Sequence, residues 1–209
     1  MPLVMIFCLR KGLSFAMSKN RLSISILMIC SILLAAFALP TATAAKYGDG
    51  TYLVGPDLEA GLYKVHLTDT LVRMGYIERL KGVSMSLDDV IANGIITGDG
   101  YLQIKDTDFA VRLQGVSISQ ITLSGFPVDL KDEVSDGVHL IGYDLSPGLY
   151  KVIITETTMN MGYVERLRGV SMEFSDIIDN SIFQGQGYVE IKPEDFAVRV
   201  QGAKLQKQQ

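Results

Sequence analysis

The chain has 209 residues, with 19 Lys+Arg, 23 Asp+Glu, two histidines, two cysteines and no tryptophan. Its first 45 residues hold four basic residues (Arg10, Lys11, Lys19, Arg21) and no acid, so the remainder has 15 basic against 23 acidic residues, a formal charge of −8. That balance argues against binding a nucleic-acid backbone or an anionic lipid surface. Both cysteines, Cys8 and Cys30, also lie in the first 45 residues, which leaves the rest without a disulfide, a thiolate metal site or a cysteine nucleophile.

The N-terminal segment reads as a targeting signal. Lys19 and Arg21 precede an uncharged run of 18 residues, Leu22 to Leu39, which is followed by Pro40 and then Thr41-Ala42-Thr43-Ala44-Ala45. A basic flank, an apolar stretch and a small-residue A-x-A site define a secretory signal peptide over residues 1–44, with cleavage before Ala45 or one residue later. Met17 offers a second start that gives a signal of ordinary length. The alternative is an uncleaved anchor, because the apolar run is near the lower limit for a membrane span. A lipoprotein reading fails, since Ile29 precedes Cys30 where a small residue is expected.

After the signal, one module is written twice. Asp49–Ile118 aligns with Asp136–Leu205 at a constant offset of 87 without a gap, with 39 identities in 70 positions. GLYKV recurs at Gly61 and Gly148. MGYIERLKGVSM (from Met74) returns as MGYVERLRGVSM (from Met161), and DFAVRLQG (from Asp108) as DFAVRVQG (from Asp195). Such self-similarity marks two structural copies. Residues 119–135 read as a linker. Its Ile121 and Leu123 suit an extra strand.

Each copy is expected to be mostly β. In the first, strands are predicted at Thr51–Val54, Leu62–Leu67, Met74–Leu80, Tyr101–Ile104 and Phe109–Leu113. Alternation puts Tyr63, Val65 and Leu67 on one face, and likewise Phe109, Val111 and Leu113. Only Ser86–Asn93 looks helical, with Ser86 as N-cap, Asp88 and Asp89 in the first turn and Asn93-Gly94 as terminator. Gly98-Asp99-Gly100 reads as a hairpin turn. The expected fold class is all-β, two tandem small sandwich- or barrel-like modules each with one short helix.

DGTYLVGPDLEAGLYKV, GYIERLKGVSMSLDDVIAN and GYLQIKDTDFAVRLQG together resemble a small all-β module of secreted and surface bacterial proteins, common in Gram-positive species. Its pattern is G-x-Y-x-V-G-x-D-I-x-x-G-x-Y, then Y-W-x-R-L-x-G-x-S, D-I-I-A-N and V-x-I-x-P-x-D-x-x-F. The resemblance covers both copies, Asp49–Gly115 and Asp136–Gly202, and implies the fold without implying an activity. Ile77 and Val164 stand where that module has tryptophan. Gly75 and Gly162 stand at a position often taken by cysteine, so its usual staple is missing.

The candidate functional residues are those kept in both copies. His66 aligns with Ile153 and His139 with Tyr52, which excludes a duplicated histidine site. Ser84 and Ser171 read as turn serines, and Gly98-Asp99-Gly100 loses its acid at Gln186, which removes a calcium loop. No cofactor or metal is expected. The repeated charges and tyrosines form a candidate binding surface: Tyr76, Glu78, Arg79, Tyr101 and Arg112, with Tyr163, Glu165, Arg166, Tyr188 and Arg199. Tyr76 and Tyr101 follow glycines and are expected to be partly exposed. The function expected is that of a secreted, non-enzymatic binding or cell-envelope protein. Its partner would be an envelope protein or polysaccharide, with no nucleic acid and no membrane after cleavage. The alternative is a small extracellular hydrolase of glycosidase type, pairing Glu78 or Glu165 with a nearby Asp such as Asp89 or Asp108.

Overall fold

The computed structural model describes residues 46–68, 71, 73–124 and 126–208. The signal segment, Met17 and both cysteines lie outside them. Among the described residues, the β-branched and aromatic runs form sixteen strands, all paired antiparallel. Module 1 has β1 (Lys46–Tyr47), β2 (Gly50–Leu53), β3 (Gly61–Leu67), β4 (Gly75–Leu80), β5 (Val90–Ile96), β6 (Gly100–Ile104), β7 (Ala110–Gln114) and β8 (Val116–Ile121). Module 2 repeats the series as β9 (Glu133–Val134), β10 (Gly137–Leu140), β11 (Gly148–Ile154), β12 (Gly162–Leu167), β13 (Ile177–Phe183), β14 (Gly187–Ile191), β15 (Ala197–Gln201) and β16 (Ala203–Lys207). Each module has two four-stranded sheets. In module 1 their orders are β1-β8-β3-β6 and β2-β7-β4-β5; in module 2 they are β9-β16-β11-β14 and β10-β15-β12-β13.

The two sheets of a module share one core, because alternation turns one side of every strand inward. In module 1, Tyr63, Val65, Leu102, Ile104, Val116 and Ile118 meet Ile77, Val111 and Leu113 from the other sheet. In module 2, Tyr150, Val152, Ile191, Ala203 and Leu205 meet Val164, Val198 and Val200. Ile77 and Val164, at the tryptophan position of the resembled module, are thus core residues. The chain changes sheet between β7 and β8 at Gly115 (φ +65°), and between β15 and β16 at Gly202 (φ +65°). A side chain there would crowd the carbonyl of Met74 or Met161, so glycine is needed for conformation and for space.

Four sequence expectations are corrected. Ser86–Asn93 is not a helix. Ser86 caps a single 3₁₀ turn, Leu87–Asp89, its hydroxyl accepting from the Asp88 N–H at 3.2 Å. Val90-Ile91 then starts β5, which pairs with β4 as far as Gly75↔Ile96 and carries Asn93-Gly94 in its middle. β-Branched residues and a partner strand outweigh the turn preference of Asn-Gly. Gly98-Asp99-Gly100 is not a hairpin turn, because β5 and β6 belong to different sheets. Asp99 instead accepts from the Leu67 N–H at 3.1 Å and contacts His66 Nδ1 at 2.8 Å. Ser119–Ile121, placed in the linker from sequence, completes β8, and Glu133–Val134 forms β9. Phe109 lies just before β7 and is half exposed, off the Val111–Leu113 face.

A third apolar cluster lies where the modules meet. Tyr101 of module 1 joins Val138, Leu140, Leu167, Val170 and Ala197 of module 2, with Leu62, Ile121, Leu123 and Phe126 packed around them. Each buried side chain of this size is worth about 1.5–3 kcal/mol. That contribution is substantial for modules of this size, which are marginal on their own core alone.

Candidate functional site

Neighbouring strand residues face opposite ways, so Glu78 and Arg79 serve different networks. Glu78 opposes Arg112 in register across β4 and β7. It accepts from Arg112 Nη1 at 2.6 Å and from the Tyr76 hydroxyl at 2.9 Å. Module 2 repeats this, with Arg199 Nη1 at 2.6 Å and the Tyr163 hydroxyl at 2.7 Å from Glu165. Desolvation, and then the hydrogen bond to Glu165, push the Tyr163 phenol up to about 12. The Tyr76 phenol is raised for the same reasons.

Arg79 clamps Asp108 through Nε at 2.7 Å and Nη2 at 2.6 Å. Asp108 also caps the turn before β7 by accepting from the Lys105 N–H at 2.9 Å. Arg166 holds Asp195 in the same way at 2.7 and 2.8 Å. The copies then diverge. Arg79 Nη1 also donates across the junction to the Ser171 carbonyl at 2.7 Å and to Glu173 Oε1 at 2.8 Å, while Lys105 Nζ reaches the same carboxylate at 2.7 Å. Arg79 is therefore wholly buried, which corrects its placement on a binding surface. Donation from Lys105 and then Arg79 holds the Glu173 carboxyl down at about 2.

Tyr101 is corrected as well. It is buried at the junction, donating to Asp144 Oδ1 at 3.1 Å, with the Lys64 ammonium 4.0 Å over its ring and Phe126 edge-on at 6.2 Å. Its counterpart Tyr188 is 54% exposed. The glycine before each residue carries no information about burial; the partner module supplies it.

The carboxylates of the hydrolase alternative are each engaged by other partners. Glu78 is tied to Arg112 and Tyr76, and Asp108 to Arg79. Asp89 accepts from the Ser84 N–H at 2.7 Å and hydroxyl at 2.6 Å, bonds that lower its carboxyl below the ordinary value.

The structure instead assembles a cleft of about 290 Å³ between the modules. One wall is Val90–Asn93 of β5. The other is module 2, with Glu165 and Arg199 on the sheet, Met172, Glu173 and Asp176 from the loop after β12, and Phe174 beside them. That loop is built around a strained residue. Met172 has φ +66°, as does its counterpart Met85 at +64°, a conformation that costs a non-glycine residue roughly 1–2 kcal/mol. Asp176 anchors the loop by accepting from the Ser171 N–H at 2.6 Å and hydroxyl at 2.8 Å. Of the predicted surface residues, only Glu165 and Arg199 reach this cleft. Glu173 and Phe174 carry no repeat signal in the sequence, because Ser86 and Leu87 occupy those positions in the first copy.

A second hollow of about 460 Å³ is lined by Lys64, Arg73 and Lys131 against Asp99, Asp136 and Asp144, with His139. Burial lowers the His139 imidazole from its ordinary value, and Nε2 lies 2.8 Å from the Ser135 carbonyl. Its opposed charges are equal in number. Among the described residues, no cluster of three or more His, Cys, Asp or Glu side chains is arranged to hold a metal ion, and no helix is long and apolar enough to cross a membrane.

The model of one protein family, the Rv1352-like extracellular domain, matches residues 44–115 and again 132–204. No curated protein and no solved structure matches the chain. The two matches fall on the two modules and cover more than half of the sequence. The chain therefore belongs to the Rv1352-like extracellular domain family, carries that domain twice, and is a secreted or surface protein.

Proposed function

We propose that this extracellular protein works by binding rather than by catalysis, and that the cleft between its modules holds a neutral segment of a cell-envelope polysaccharide. The observation that carries this reading is the state of the cleft's three carboxylates. Glu165 is held by Tyr163 and Arg199, Glu173 by Arg79 and Lys105, and Asp176 by Ser171. A glycosidase needs one carboxyl kept protonated as a general acid, whereas Glu173 is driven the other way. The paired ions keep spare hydrogen-bonding capacity for hydroxyl groups. The Phe174 ring, 94% exposed, offers an apolar face of the kind that sugar rings stack on.

The test is calorimetric titration of the chain from Ala45 with neutral envelope polysaccharide fragments, with reducing-end assays in parallel. Binding that falls at least about tenfold in Phe174→Ala, without release of new reducing ends, supports the reading. Turnover abolished by Glu165→Gln would replace it with the hydrolase. Binding unchanged in Phe174→Ala would remove the cleft from consideration.

A further inference from the structure

The contact between the modules is heterologous: each uses a different surface. Module 1 contributes the β6 edge with Tyr101, Gln103 and Lys105, and Arg79 beside it. Module 2 contributes the β10 edge and the loop 169–173. Two main-chain bonds stitch the edges, from the Gln103 N–H to the Val170 carbonyl at 2.9 Å and from the Val138 N–H to the Asp99 carbonyl at 3.0 Å. A heterologous contact leaves one unused copy of each surface at opposite ends of the molecule. The unused copies here are the β14 edge of module 2, with Tyr188, Arg166 and Lys192, and the β2 edge of module 1 with its loop 82–86.

We propose that these two unused surfaces join between chains, so that the loop and β2 edge of one copy dock on the β14 edge of another and build an open head-to-tail assembly. Three observations support this. First, both β2 and β14 are edge strands, and an unpaired edge is a template for another chain. Second, module 1 displays its loop as apolar surface that no other described residue covers. Met85 is 85% exposed on a strained backbone, and Val83 is 49% exposed, where the corresponding Val170 is buried. Third, the recognition groups recur at the offset of 87. Tyr188, Arg166 and Lys192 match Tyr101, Arg79 and Lys105, and Asp57 matches Asp144. Asp57 already accepts from the Leu53 N–H at 2.8 Å, as Asp144 does from Leu140 at 2.8 Å. The two main-chain bonds depend on no side chain.

The assembly is weaker than the internal contact, for reasons legible in the same alignment. Ser86 replaces Glu173, so Arg166 and Lys192 gain no carboxylate. Ser181 replaces Gly94, where a Cβ would meet the Met172 methyl in the internal contact.

Sedimentation velocity of the chain from Ala45 over a wide concentration range tests the proposal. The unaltered chain is expected to show a mean mass that rises with concentration without stopping at two. Ser86→Glu combined with Ser181→Gly restores the internal chemistry and is expected to tighten association at least about tenfold, since hydrogen bonds to charged groups are the strong ones. Met85→Asp is expected to leave monomers, with its thermal unfolding showing that the exposed substitution leaves the fold intact. The proposal fails if the double variant associates no more than the unaltered chain, or if Met85→Asp associates as the unaltered chain does. Neither readout involves the polysaccharide cleft.

Discussion

The loops Val83-Ser84-Met85 of module 1 and Val170-Ser171-Met172 of module 2 share a sequence, a left-handed methionine and an anchoring aspartate. One lies in solvent; the other closes the junction and holds Arg79. Local sequence therefore sets the shape of the loop, and position in the tandem sets its role. The divergence follows the contact: the glutamate at 173 and the glycine at 94 appear only in the copy where the junction uses them.

The strongest way to break the comparison is to remove the two clamping arginines in turn. Arg79→Met leaves Asp108 buried without its partner, and unfolding in urea should show a loss of about 3–5 kcal/mol. Arg166→Met also leaves a buried aspartate, Asp195, without its partner and should cost about 3 kcal/mol, the low end of that range, because Arg166 itself is partly exposed and holds no second carboxylate across a junction. Equal losses would mean that the junction adds nothing to the clamp. Next is the apolar pair. Val170→Asp places a carboxylate in the junction cluster and should cost about 3 kcal/mol. Val83→Asp, at a half-exposed site, should stay within about 0.5 kcal/mol.

A pH series sharpens the contrast at the next level. The folded Glu173 carboxyl titrates at about 2, below its ordinary 4.5. Its contribution is thus fully present above about 4.5 and disappears as pH falls toward 2. Glu173→Ser, which copies Ser86, should lower stability by about 1 kcal/mol at pH 7 and flatten the acid side of the pH profile. An unchanged profile would show that the bonds to Arg79 and Lys105 contribute nothing. The smallest expected difference is between tyrosines. Tyr101→Phe loses the bond to Asp144 and about 0.5–1 kcal/mol, while Tyr188→Phe should be indistinguishable from the unaltered chain in thermal unfolding.

The duplication and the β class were legible because repeats and period-two alternation are local signals, and Tyr63, Val65, Val111 and Leu113 lie in the core that alternation assigns them. The helix at 86–93 misled because capping by Ser86 is also local and real, but it supports only one turn before strand pairing takes over. The candidate surface was partly legible. Glu78 with Arg112 forms a cross-strand pair, whereas the burial of Arg79 and Tyr101 depends on residues about forty to ninety positions away. The cleft itself was illegible from what the copies share, since its distinctive residues, Glu173 and Phe174, are among those the copies do not share.

The short strands that begin each module carry a mechanical consequence. β1 lies beside β8 with Lys46 opposite Ser119, and β9 beside β16 with Glu133 opposite Gln206. In an antiparallel pair this register brings the chain into and out of a module at the same end. Tension applied through those ends therefore loads the ladder bonds one after another, as in peeling, rather than all together, as in shear. β1 and β9 would part first, two residues at a time, while β8 and β16 stay paired with β3 and β11. A protein on the outside of a cell built this way yields to a pull by small steps at its module ends before its cores open.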